Sequence, residues 1–259
     1  MLDEALARHL HVESLRHRDL HPEHEPHVLF QASTIGALLE GAFDGDVTFD
    51  ELAGHGDLGL GTLNGLDGEM IALDGNFYRA DVEGRIHKVR AEQRTPFAVV
   101  TDFEPAIDAE VVGPLSHEGL LARLDELIPA GAASCAVRLD GDFELIRARS
   151  VPRQRPPYRP LTAVVAEQRE FELAEVEGTM LGFRFPSYVE GIEVGGFHLH
   201  FIDAAHERGG HVLDSRVGRV RARVDVSRDL HVELPPGVCL SDPDLSQSTH
   251  AAVALVEGG

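Results

Sequence analysis

Apolar and polar positions alternate in short runs along most of this chain, and few stretches carry a helical repeat. "EMIALDGNFYRAD", residues 69–81, alternates on either side of Asp74-Gly75, a pair that favours the tight turn of a β-hairpin. "SCAVRLDGDFELIRARSV", residues 134–151, has the same form around Asp140-Gly141 and predicts a second hairpin. "GRIHKVR" (84–90) and "FAVVTDFEP" (97–105) read as further strands. Helical signals are shorter. Ser33 or Thr34 is placed to cap a short helix through Leu39, and in "SHEGLLARLDELI" (116–128) leucines recur at helical spacing behind a serine cap. "VTFDELAGHGDLGLG" (47–61) predicts a strand or helical turn followed by a glycine-rich link, and "LTAVVAEQREFEL" (161–173) fits helix or strand.

"VPRQRPPYRP", residues 151–160, breaks the pattern with four prolines and reads as a linker. The expected organisation is a polar, histidine-rich and loosely ordered extension over 1–27, an N-terminal α/β domain over 28–152, the linker over 153–160, and a C-terminal domain over 161–259. Many strands and few helices predict an α/β fold of the α+β type, with mixed or antiparallel sheets.

Four histidines fall within "GGFHLHFIDAAHERGGHVLD", residues 195–214. Strand side chains alternate faces, so His198 and His200 share one face while Phe197, Leu199 and Phe201 take the other. "AAHERGG" is a polar connection, and a return strand at "HVLD" brings His211 beside His200. Three imidazoles on one face of a hairpin form a platform with open coordination positions, as a catalytic zinc requires. His206 sits in the turn and is excluded. An HxH pair alone is equally compatible with a polar surface hairpin; the third histidine behind Gly-Gly favours the metal. The N-terminal cluster is weaker. His9 and His11 also have HxH spacing, but their segment fits a helix, where residues two apart diverge, and His21, His24 and His27 lie among prolines.

Charge narrows the partners. Lys plus Arg total 23 against 44 Asp plus Glu, a formal net charge of −21, with Lys88 the sole lysine. Such a surface repels nucleic-acid phosphates and anionic membranes, and a site for an anionic substrate needs local positive charge. The cysteines, Cys135 and Cys239, form no CxxC pair and are expected to be buried, reduced thiols. The N-terminus lacks the apolar core of a secretory signal, and no run approaches the ~20 apolar residues of a membrane helix. A soluble, cytoplasmic protein is expected.

From "LFQASTIGALLEGAFDGDVTF" to the C-terminus, the sequence resembles the acetolactate decarboxylases, zinc enzymes that convert 2-acetolactate to acetoin and carbon dioxide. "GDLGLGTLNGLDGEMIALDGNFY", "RARSVP", "GGFHLHFID" and "GGHVLD" carry the resemblance, in the family's order. It implies metal ligation by His198, His200 and His211, and a site completed by Glu69, Arg149 and Glu257, with Thr62 lining it for substrate. Arg149, rather than Arg147, matches the family's arginine, and Asp67 reads as a turn residue. The resemblance also implies a two-domain structure with the site between domains, a homodimer, and a bound Zn2+. In this chemistry the arginine grips the substrate carboxylate, and a buried carboxylic acid, Glu69 or Glu257, protonates the enediolate left by loss of carbon dioxide. Two rival readings stand beside it. A cupin-like iron dioxygenase or isomerase would recruit Asp203 as a further ligand. A non-catalytic metal-binding module would use the N-terminal histidines and hold several metals per chain.

Overall fold

A computed structural model describes residues 11–15, 26–189 and 191–234, the first of these segments as backbone. The chain is α+β, built mostly of strands with four short helices among the described residues. An eight-stranded mixed sheet has the order β1 (His11–Leu15), β15 (Asp229–Glu233), β2 (Val28–Ala32), β9 (Ala98–Thr101), β4 (Leu58–Thr62), β5 (Glu69–Leu73), β6 (Asn76–Ala80), β7 (Ile86–Lys88). A second sheet runs β10 (Ile107–Ser116), β14 (Gly209–Ser227), β11 (Ser134–Ser150), β12 (Arg169–Phe185), β13 (Gly196–Asp203). Because β13 also pairs with β14, strands β11 to β14 close on themselves. Two small strands, β3 (Val47–Thr48) and β8 (Arg94–Thr95), pair separately. The proline-rich stretch runs between β11 and the helix Leu161–Val165, and strands from either side of it enter both sheets.

Three apolar clusters follow from the period of the strands. Leu58 and Leu60 of β4, Ile71 and Leu73 of β5, and Ile202 of β13 meet in the layer between the two sheets. Leu199 and Phe201, on the opposite face of β13, fill the closed second sheet with Phe143, Val220 and the helical leucines Leu120 and Leu124. Met70 and Ala72 point to the far side of the large sheet, against Phe49 and Leu52. Helix α1 (Ile35–Leu39) starts at Thr34, whose hydroxyl accepts from Ala37 N; α2 (Phe49–Ala53) carries a capping box between Thr48 and Glu51; α3 (His117–Leu127) is capped by Ser116; α4 is Leu161–Val165. None is long and apolar enough to cross a membrane.

The hairpin at Asp74-Gly75 forms as expected: both residues have positive φ, 50° and 72°, and Leu73 faces Asn76 across a two-residue turn. Its counterpart at Asp140-Gly141 does not form. Residues 134–150 make one long strand, β11, and Asp140 instead accepts hydrogen bonds from Thr179 Oγ1, Arg138 and Arg223. At Gly141 a Cβ would lie 2.3 Å from Arg219 O, so this glycine admits a neighbouring strand rather than a turn. The glycine-rich link is also a correction. Its second half is β4, fully buried, where glycines allow β9 to approach. Within the extension expected to be loose, His11–Leu15 adds in parallel to the edge of β15. Cys135 is buried and unpaired, and burial pushes its thiol up to about 12; Cys239 lies outside the described residues.

Candidate active site

The β13–β14 hairpin sets His211 directly opposite His200. Period-two alternation turns His198 and His200 out of the closed sheet toward the large one, and β14 carries His211 between β13 and β11. All three rings are buried, with centroids 5.1 to 5.4 Å apart. One nitrogen from each lies within 4.8 Å of the others, and among the described residues this is the one such group of three ligand-type side chains. His200 donates from Nδ1 to Met70 O at 2.8 Å, which leaves Nε2 as its lone-pair nitrogen. That Nε2 is buried and makes no hydrogen bond. Burial, and next the neighbouring His198, hold the pKa of His200 well below its ordinary value. A neutral ring with a buried lone pair among two similar rings is a donor set that fits a divalent metal such as zinc.

The triad opens into a pocket that Glu69, Arg149 and Thr62 also line. Glu69 comes from the start of β5 and Arg149 from the end of β11, where its register partner is His211. Arg149 Nη1 lies 3.6 Å from Glu69 Oε1, and Glu69 Oε2 lies 3.8 Å from His200 Nε2. The carboxylate thus stands between the guanidinium and the triad. Thr62 donates its hydroxyl proton to Gly68 O at 2.7 Å, bracing the turn that delivers Glu69. Ile35 and Leu38 of α1, with Leu66, Phe97, Val151 and Leu161, supply apolar walls.

Other expected residues fall elsewhere. Arg147 is half-buried and faces Asp214 and Glu172 on the adjoining strands. Asp67 pairs with Arg79 at 2.6 Å, as a turn residue. His206 is exposed at the hairpin tip, edge-on to Tyr78. Asp203 accepts from the backbone of Glu207 and Arg208, so the carboxylate that an iron site would recruit is engaged in closing the hairpin. Of the N-terminal histidines, His27 contacts Asp225, while His9, His21 and His24 lie outside the described residues, as does Glu257. Sequence reasoning missed Glu193, buried and 3.7 Å from His198 Nδ1. No periodic pattern marks it, because it arrives on a loop.

Three buried imidazoles, a guanidinium and a carboxylate around one cavity are the equipment of an enzyme, and the relatives of this chain are carboxy-lyases. Residues 29–247 match the family model for alpha-acetolactate decarboxylase. The alpha-acetolactate decarboxylase of Methylococcus capsulatus is 45% identical over 90% of each chain, and that of Klebsiella aerogenes 38% identical over 93% of each. The crystal structure of the Bacillus subtilis strain 168 enzyme superposes with a TM-score of 0.84 at 33% identity, covering 90% of this chain and 100% of that one. The chain belongs to the alpha-acetolactate decarboxylase family.

Proposed function

We propose that this chain catalyses the zinc-dependent decarboxylation of 2-acetolactate to acetoin and carbon dioxide. The observation that carries the reading is the convergence of the buried histidine triad, Arg149 and Glu69 on one pocket. When the bond to the substrate carboxylate breaks, its electron pair remains as an enediolate, with charge on the former ketone oxygen. A zinc ion held by His198, His200 and His211 supplies, when bound, a Lewis acid for that charge. The remaining work falls to the chain. The planar fork of Arg149 grips the leaving carboxylate and gives this acidic protein its local positive charge. Glu69, between that guanidinium and His200, is placed to hand a proton to the carbon that has lost carbon dioxide. Glu257 is assigned as the second carboxylic acid of the site. Apolar walls keep the medium around these charges low in dielectric, which strengthens each interaction.

The same reading has the enzyme act as a cytoplasmic homodimer, a setting that suits the buried thiol of Cys135. The test is acetoin formation from racemic acetolactate, before and after exhaustive chelation. Acetoin and carbon dioxide should appear, cease on metal removal and return with zinc. No acetoin from metal-replete protein would overturn the function, and full activity without metal would overturn its zinc dependence.

A further inference from the structure

Glu193 is 1% exposed, and its Oε1 lies 3.7 Å from Nδ1 of His198, adjacent to it but longer than a hydrogen bond. A carboxylate buried this deeply acts on the polar groups beside it, and the imidazole of His198 is one of them. The loop that carries it is held by rigid elements. Ile35 N donates to Ile192 O at 3.0 Å, Gly36 N to Gly191 O at 3.1 Å, and the buried amide of Gln31 to Ile192 O at 2.7 Å. Glu193 N itself donates to Val189 O. A Cβ on Gly36 would meet Gly191 O at 2.9 Å, so α1 packs against this loop as closely as a glycine allows. His200 shows the closed form of such a pairing, with Nδ1 donating to Met70 O at 2.8 Å and Nε2 left for the site; Glu193 is the acceptor group next to Nδ1 of His198.

We propose that Glu193 is the positioning residue of His198: its carboxylate favours the proton on Nδ1, turns Nε2 toward the metal and raises the donor strength of the ring. The inference rests on the metal reading of the triad. It assigns to α1, which also walls the cavity, a second task in holding the loop that orients one ligand.

Three measurements test it: zinc affinity by competition with a chromophoric chelator, the melting temperature of the metal-free chain, and long-range 15N–1H spectra of the histidine rings in the zinc-loaded wild type. Glu193→Ala should bind zinc about 10- to 100-fold more weakly. Glu193→Gln should lose less, because its amide oxygen can accept the Nδ1 proton when the metal is bound. The spectra should show His198 protonated at Nδ1 and ligated through Nε2. Unchanged zinc affinity in Glu193→Ala, even with a lowered melting temperature, would reduce Glu193 to loop packing and overturn the proposal, as would ligation through Nδ1. If Glu193→Ala does not fold, Glu193→Gln and the wild-type spectra decide. A wild-type chain that binds no zinc would fail the metal reading itself and take this inference with it; normal wild-type binding with unaffected variants would fail the inference alone.

Discussion

Arg147 and Arg149 lie two residues apart on one strand, yet only Arg149 lines the cavity. A register shift in the pairing with β14 falls between them, so Arg147 faces Asp214 while Arg149 faces His211. Arg149→Lys keeps the charge but loses the planar fork, and should lower kcat/KM by about 10²- to 10³-fold, roughly 3–4 kcal/mol of transition-state binding. Arg147→Ala should cost far less, and equal losses at both positions would refute the assignment of roles. The histidines divide in the same way. Alanine at His198, His200 or His211 should abolish bound zinc and activity together, measured by metal analysis and acetoin assay. His206→Ala removes an exposed ring and should leave both intact. Strand period alone made the triad legible, because two of its members differ by two positions and the third follows a short turn. Glu69 and Arg149 were legible only through family motifs, since their meeting depends on two sheets packing.

At the scale of elements, identical local chemistry had two outcomes. Asp74-Gly75 turns the chain because nothing crowds it: a Cβ on Gly75 would meet no atom within 4 Å. Asp140-Gly141 is held extended by partner strands on both sides, and no local signal reports those partners. In β4 the alternation of glycine with leucine looks like a link, but the leucines fill the layer between the sheets and the glycines seat β9. Gly61→Ala tests this. Its Cβ would lie 2.3 Å from Phe97 O and 2.7 Å from Ala98 Cα, so backbone has to move. Overpacking of this kind costs about 1–3 kcal/mol, or roughly 2–4 °C of melting temperature per kcal/mol for a chain of this size. Activity should fall with stability, because Thr62 is the next residue and braces the turn before Glu69. An alanine variant with wild-type melting temperature and turnover would show that β9 does not constrain the site.

Across the whole molecule, the hairpin that carries the triad is tied to the large sheet at its tip. Ile86 N donates to Glu207 O and Gly209 N to Gly84 O, both at 2.9 Å, and Asp81 shapes the turn they use by accepting from the backbone of Glu83 and Arg85. Burial pushes the Asp81 carboxyl up, but hydrogen bonds from His87, Arg85 and Glu83 outweigh it and bring it down to about 2. The unfolded chain therefore takes this proton near pH ~4 and the folded chain only near 2, so stability present above ~4 is lost as pH falls between those values. His117, at the start of α3 with Nδ1 on Ser215, acts higher. Burial lowers its pKa, with Asp214 and Glu118 pulling partly back. Its unfolded form protonates first as pH falls through ~6.5, so stability is complete above that value and declines below it. In the metal-free chain His200 acts in the same sense. The melting temperature of metal-free protein should thus fall in two stages, one starting near pH ~6.5 and one below ~4. His117→Gln should make the first stage shallower and spare the second, leaving the share that belongs to His200. Asp81→Asn should lower the melting temperature at neutrality and flatten the second stage. A His117→Gln curve parallel to wild type through the first stage would show that the ring titrates alike in the folded and unfolded chain, and would leave that stage to His200.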